Sequence, residues 1–496
     1  MTQELKYVDL PQMSRNGGAA FRLALSNAPE LACEEIVRRV SGKRLVCRGT
    51  WNNQTVYAKL FIGDQAQRYS QRDLNGVNAL AQAGILTPGL LHAGPIAGGA
   101  GEALVFEAIA DSVNAEQAWD DMPQLSQMRL DLAKLLVAEV AHHHQAGLMQ
   151  TDLYLKNFLL QGKKIYTLDG DGIRPLRFCR RHRSLHNLAV LLSKFDVLEI
   201  EAWLPQLLGH YADKRGLALQ SIDLHNMQRQ IAAHRYGVVK GYVNEKIFRT
   251  CTDIHVESGS RFFLAIARPY LNAGLRQVLN QPDSLLQEGA SKRLKSGNTC
   301  TVSLSEVEGR KIVVKRYNIK NFWHGLGRAL RVTRAAASWS NAHRLMMYDI
   351  PTAAPIALLE KRYGIIRRQA YLLAEYIDAP DVDAFFADAT VDVARKTQVA
   401  NSIARMFYKL YLLRIEHGDF KATNMKIVDG QPYLIDLDSM REYRCNWRFG
   451  RRHVRDLRRF MRNWQADAAT TNILIAAFRA IYKDTSPLDK AGIKPR

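Results

Sequence analysis

The chain has 496 residues, 47% of them hydrophobic and 24% charged, with a formal net charge of +21. That composition excludes a disordered chain, and no run reaches the roughly 18 apolar residues of a membrane-crossing helix. The charge calls for an anionic partner, with nucleic acid, an anionic membrane and a phosphorylated substrate all left open.

The N-terminus lacks an apolar signal core, and the six cysteines form no C-x-x-C pair. Both features predict a cytosolic, reducing location. Thr55–Phe61 then reads as a strand carrying Lys59, preceded by a turn at Arg48-Gly49-Thr50 that could cover phosphates with backbone N–H groups. Gln71-Arg72-Asp73-Leu74 reads as helix, with Asp73 as the candidate partner of Lys59. Leu104–Glu107 is an apolar strand ending in an acid, in position to lead to a nucleotide-binding hinge. The helix from Leu130 to Val140 runs into His142-His143-His144, and three consecutive histidines cannot share one helix face, which speaks against a metal site. Next come Gln150-Thr151-Asp152, then Asn157, then a short strand ending at Asp169.

The same order recurs. A hairpin around Glu257-Ser258-Gly259-Ser260 opens a second domain, so the boundaries are expected at 1–245 and 246–496. Ser296-Gly297-Asn298-Thr299 repeats the turn, Lys311–Tyr317 the strand with Lys315, and Leu372–Glu375 the hinge strand. Lys43-Arg44-Leu45 also matches Lys292-Arg293-Leu294. The helix stretch Ala337-Ser338-Trp339-Ser340 carries no acid for Lys315. His417-Gly418-Asp419 follows, then Asn424 and a strand ending at Asp436. Asp, Asn and Asp shift by one offset between the copies (419 − 152 = 424 − 157 = 436 − 169 = 267).

Phosphoryl transfer explains that spacing. It needs a carboxylate to orient the acceptor hydroxyl and oxygen ligands for Mg²⁺ that screens the phosphates of ATP. Asp152 and Asp419 suit the first task, and Asn157, Asp169, Asn424 and Asp436 the second. Lys59 and Lys315 would hold the α- and β-phosphates, with Gly49, Gly297, Glu107 and Glu375 completing the nucleotide pocket. The fold class expected is α+β: two tandem protein-kinase-like domains, each with a small β-rich N-lobe and a mainly helical C-lobe.

Two basic stretches remain. Nine arginines from Arg441 to Arg462 follow Asp436; Val454, Leu457, Met461 and Trp464 have helical spacing and are expected to face the core. Arginines 448, 451, 455, 459 and 462 then line an outer or flanking face. Arg316, Lys320, Arg328, Arg331 and Arg334 interleave with Tyr317, Phe322 and Trp323, a mixture suited to an anionic bilayer or to an ordinary lobe helix.

Val314-Lys315-Arg316-Tyr317-Asn318, Arg334-Ala335, Ser338-Trp339, Pro351-Thr352, the run His417–Asn424 and Ile435-Asp436-Leu437-Asp438 together resemble the lipopolysaccharide core (heptose/Kdo) kinase family. The likeness covers most of the second domain; the first is more distant, with Gln-Thr-Asp where the family usually has His-Gly-Asp. The resemblance implies an ATP- and magnesium-dependent sugar kinase acting on a lipid-linked lipopolysaccharide core acceptor. It would work on the cytosolic face of the inner membrane, with no nucleic acid as partner. A pseudokinase or scaffold of core assembly, or a kinase acting on protein or small molecules, are the alternatives.

Overall fold

The computed structural model describes residues 9–177, 180–287, 291–296, 300–317, 332–364 and 366–494. It divides into two compact units: residues 1–195 with 199–234, and residues 196–198 with 235–496. Each combines an antiparallel sheet with a helical portion, the mixed α and β content expected.

In unit 1 the sheet has six strands, in the spatial order Phe21–Leu25, Ala28–Val40, Arg44–Trp51, Gln54–Phe61, Glu102–Glu107, Leu90–Pro95. Asn52 and Asn53, both with positive φ (49° and 59°), make the tight turn into the lysine strand Gln54–Phe61. Asparagine tolerates that conformation, and a turn of this hand matches the strand twist. Along the strand Val56, Ala58 and Leu60 alternate into a core with Leu45, Ala103 and Val105, which sends Lys59 to the opposite face. The helix Ala66–Gln82 packs on that face through a stripe of Ala66, Ser70, Asp73, Val77 and Leu80. A Cβ on Gly76 would overlap the carbonyl of Gly170, so the helix backbone lies directly against the loop after Asp169.

In unit 2 the sheet has seven strands, ordered Ile254–Ser258, Phe262–Ala267, Pro355–Tyr363, Ile366–Glu375, Arg310–Tyr317, Cys300–Val307, Ser291–Ser296. The expected hairpin around Glu257–Ser260 forms its first pair, closed by Gly259 N–H donating to Phe262 O at 2.9 Å. Five strands of each sheet share one order. The extra strand of unit 1 lies at one edge, and the extra hairpin of unit 2 lies beyond the opposite edge. The helix Arg334–Met347 buries Ala335, Trp339, Ala342 and Leu345, and its Thr333 cap accepts Ala336 N–H at 3.0 Å. Beneath the loop at Asp419, Phe407 of the helix Val393–Leu413 stacks on Phe420 at 4.1 Å, with Phe460 and Phe478 beside it. Burying such rings contributes about 1.5–3 kcal/mol each, which anchors the loop to the helical core.

The sequence reading of the arginine helix needs correction. Asn446–Met461 is helical as expected, but its buried face is Phe449, His453, Asp456, Leu457 and Phe460, while Val454 and Met461 are only partly covered. The basic stretch at 318–331 lies outside the described residues.

Candidate active sites

Each unit folds its Asp–Asn–Asp set into the same hydrogen-bonded loop. In unit 1, Tyr154 N–H and Asn157 Nδ2 both donate to Asp152 O, at 2.9 and 2.8 Å. Leu168 N–H donates to Asn157 O at 2.8 Å, and Asp169 turns the chain with φ +66°. In unit 2, Lys421 N–H and Asn424 Nδ2 donate to Asp419 O at 2.9 Å each. Ile435 N–H donates to Asn424 O at 3.0 Å, and Asp436 has φ +61°. These local bonds fix the separation of the three residues, so the repeated spacing is a repeated geometry.

The departure at Gln150 preserves a contact. His417 Nε2 lies 3.2 Å from Ile435 O, the carbonyl just before Asp436. Gln150 Nε2 donates to Leu168 O, the corresponding carbonyl, at 3.2 Å. Both side chains are fully buried, and burial pushes the His417 imidazole below its ordinary value, keeping it neutral.

Lys59 reaches Asp73 Oδ2 at 2.6 Å and Asp169 Oδ1 at 3.1 Å, so the strand lysine, the helix acid and the loop acid meet. Burial drives the Asp73 carboxyl above its usual range despite Lys59. Asp169 is pushed up by burial too, but Lys59 and Arg44 outweigh it and leave the carboxyl low. In unit 2, Lys315 meets Asp436 Oδ1 at 3.0 Å, and it outweighs burial to keep that carboxyl low. No acid replaces Asp73: the contacts of the two helices with their loops place Ser338 there, its hydroxyl 3.3 Å from Tyr317 Oη. Helix and loop are joined again by Arg72 with Asp171 in unit 1 and Arg334 with Asp438 in unit 2.

The two candidate base carboxylates differ in their surroundings. Asp419 pairs with Lys421 at 3.1 Å and with Arg459 of the arginine helix at 2.7 Å. Burial raises its carboxyl, and those two cations more than offset that. Tyr154 stands at the position of Lys421, with the Lys194 ammonium over its ring at 4.0 Å. Asp456 accepts the N–H groups of His417 (2.8 Å) and Gly418 (3.2 Å), fixing the loop from below. In unit 1 that support comes from Tyr211, His144 and Asn187 in series, with Asn187 Nδ2 donating to Gln150 O at 2.8 Å. The middle member of this chain belongs to the histidine triplet, and burial holds it neutral with a pKa of about 3.

One nucleotide-pocket expectation is altered. Gly49 lies inside the strand Arg44–Trp51 and not in a turn; a Cβ there would run into Ala32 O, beside a bulge at Cys33–Glu35. The turn in this part of the sheet is Ser41-Gly42-Lys43, between the strands ending at Val40 and starting at Arg44, and Lys43 O accepts Ile62 N–H at 2.9 Å, three residues beyond Lys59. Gly297 belongs to residues 297–299, outside the described residues, between the paired strands Ser291–Ser296 and Cys300–Val307. The carboxylates of Glu107 and Glu375 are occupied within the sheet lobes, accepting Gly89 N–H at 2.8 Å and Tyr270 O–H at 2.7 Å. What those positions can offer a base is backbone. Arg44, Lys421 and Asp456 are not singled out from sequence for the site, and Arg459 is read there only as one of the arginines beside it; the lone acid within the helix Asn446–Met461 is the signal that flags Asp456.

As for metal, Asn424 spends its amide nitrogen on Asp419 O, and Asp436 spends one oxygen on Lys315. One amide oxygen and one carboxylate oxygen remain, a hard-donor set that suits Mg²⁺.

Residues 284–482 match the model of the lipopolysaccharide kinase (Kdo/WaaP) family. The match lies within the second unit. The matched segment includes Lys315, Asp419, Asn424 and Asp436 but less than half of the chain. Among solved structures, WaaP in complex with acyl carrier protein is 16% identical, with a TM-score of 0.33, covering 45% of this chain and 98% of that one. No curated protein matches the sequence.

Proposed function

We propose that the protein transfers the terminal phosphoryl group of ATP to a sugar hydroxyl, heptose or Kdo, of the lipopolysaccharide inner core. The Kdo/WaaP domain is the principal catalyst. The observation that carries this reading is the set of direct contacts that joins Lys315 to Asp436, Asn424 to Asp419 and Ile435 to Asn424 in unit 2, within the segment that matches the family. Asp419, kept ionised by Lys421 and Arg459, orients the acceptor hydroxyl and takes its proton. Lys315 holds the nucleotide phosphates. Asn424 and Asp436 would hold Mg²⁺, which screens the phosphate charge.

Unit 1 is read as a second, divergent kinase-like domain. Its loop repeats the hydrogen bonds of unit 2, yet Tyr154 replaces the lysine beside the base. That replacement favours a regulatory or substrate-holding role for unit 1 over a second turnover site. The lipid-linked acceptor also explains the surface charge. Trp447 is 68% exposed, Arg448 lies over its ring at 4.9 Å, and Arg451 and Arg452 follow on the same exposed helix start. An aromatic among arginines suits peripheral attachment to the anionic cytosolic face of the inner membrane.

Mass spectrometry of the core oligosaccharide from cells lacking the gene tests the reading. Loss of one phosphate, about 80 Da, is expected, and an unchanged core would overturn it.

A further inference from the structure

Strand pairing sets the two sheet lobes in a common register. Arg44 pairs with Phe61, two residues beyond Lys59, and Cys300 pairs with Tyr317, two residues beyond Lys315. Unit 1 therefore places an arginine where unit 2 has an uncharged thiol. The sequence match of Lys43-Arg44 with Lys292-Arg293 was out of register, because Arg44 begins the strand after the turn and Lys292 lies in the strand before it.

The Arg44 side chain is 14% exposed, and its guanidinium lies 3.8 Å from Asp73 and 3.7 Å from Asp169. Those separations are ion pairs beyond ordinary hydrogen-bond length. Among the described residues Arg44 makes no side-chain hydrogen bond at all, although a guanidinium carries five N–H donors. It is held from behind by the Phe61 ring at 5.8 Å, and Lys59 lies 5.5 Å from the ring of Phe106. Unit 2 has Ala374 at the position of Phe106. A mostly buried guanidinium that spends no N–H on a side-chain hydrogen bond, beside a lysine, matches the forked geometry that binds phosphate. The same guanidinium suits a divalent ion poorly, since an ion on Asp169 would stand against two cations already within 3.1 and 3.7 Å of that carboxylate.

We propose that Arg44 and Lys59 form a two-cation clamp that binds the polyphosphate of a nucleotide in unit 1 without a divalent metal. The inference rests on the reading of unit 1 as a kinase-like nucleotide-binding unit. It makes unit 1 a site that senses nucleotide, while metal-dependent turnover stays with unit 2.

The test is calorimetric titration of the full-length protein with ATP, in excess EDTA and in Mg²⁺. About one site per chain is expected in EDTA and two in Mg²⁺. Arg44→Cys, which copies unit 2, should weaken the EDTA site roughly ten- to a hundredfold, as loss of charge-assisted hydrogen bonds does. Arg44→Lys, which keeps the charge but not the fork, should fall between. The Mg²⁺-dependent site of unit 2 in the same variants reports that the protein is folded. No binding in EDTA, or EDTA binding indifferent to Arg44→Cys, overturns the clamp. If Lys59→Ala removes no site even with Mg²⁺, unit 1 is not a nucleotide site and the underlying reading fails instead.

Discussion

Asp419→Asn and Asp152→Asn, compared in the full-length chain, separate the two units. Asp419 is 30% exposed and is held by two cations, one of them Arg459 at 2.7 Å. Asparagine keeps the shape and removes the charge proposed to take the acceptor proton. Losing a general base costs about 10²–10⁴ in rate, or about 2.7–5.5 kcal/mol of transition-state stabilisation. Stability should change by no more than about 1 kcal/mol, because the ion pairs lost are partly solvated. The backbone carbonyl of Asp419, which holds Asn424, is untouched. ATP affinity should stay within about twofold, since the base contacts the acceptor and not the phosphates. Asp152→Asn should reduce turnover by less than about threefold, far below the loss of a working base. Phosphate transfer to a purified lipid-linked core acceptor, with ATP binding measured in parallel, reads both numbers. Equal losses from the two variants, with two distinct phosphates disappearing, would refute the assignment of turnover to unit 2.

Asp436→Asn, which keeps a residue that tolerates the left-handed backbone at φ +61°, should abolish Mg²⁺-dependent ATP consumption; full turnover would rule out its role as metal ligand. Asp456 gives a pH test. Burial pushes its carboxyl up to about 7, against the two backbone N–H donors. The folded value lies above the ordinary 3.8, so the stability contributed by the protonated acid is complete below the unfolded value and is lost as pH rises through about 7. Asp456→Asn cannot ionise, so its Tm should fall less than the wild type's between pH 6 and 8, and an equal fall would show that Asp456 does not titrate there. Replacing Arg448, Arg451 and Arg452 with Ala should remove about 3 kcal/mol of attraction to anionic vesicles at low salt, at about 1 kcal/mol per residue. Flotation at low and high salt measures this, and undiminished binding would move the membrane face elsewhere. Arg455 and Arg459 are poor choices for that experiment, because they already pair with Glu416 and Asp419.

The loops were legible because their geometry is local. Asp, Asn and Asp are tied by hydrogen bonds a few residues long, so sequence spacing carries the structure. Asp73 was legible for a related reason, as an acid on the apolar stripe of a helix near a strand lysine. Gly49 misled because a glycine in a strand can answer a bulge across the sheet as readily as a turn. The arginine helix misled because counting apolar letters cannot find a buried face that includes His453 and Asp456. Those residues are buried because partners distant in sequence satisfy them: Tyr482 Oη at 2.9 Å, and the N–H groups of His417 and Gly418. Arg44 was missed because only the strand register sets it beside Lys59.

Between the units the lysine strands are shifted by 256 residues (315 − 59), the hinge strands by 268 (375 − 107) and the catalytic loops by 267 (419 − 152). Between lysine and hinge, the helix C-termini and the following strands are shifted by 265 (347 − 82 = 355 − 90). Contacts with the loops agree: Thr167 N–H bonds Leu86 O as Leu434 N–H bonds Pro351 O, and 351 − 86 is again 265. Nine residues of the difference (265 − 256) therefore enter between the lysine strand and the helix, and only three (268 − 265) enter the hairpin that leads to the hinge. The nine fall in the stretch that holds Lys320, Phe322, Trp323, Arg328 and Arg331. Within the loops the Asp–Asn–Asp spacing is identical in the two units, whereas the sequence added between lysine strand and helix is basic and aromatic. That is the pattern expected if the two halves share a nucleotide site and differ in what they present to an anionic, lipid-linked acceptor.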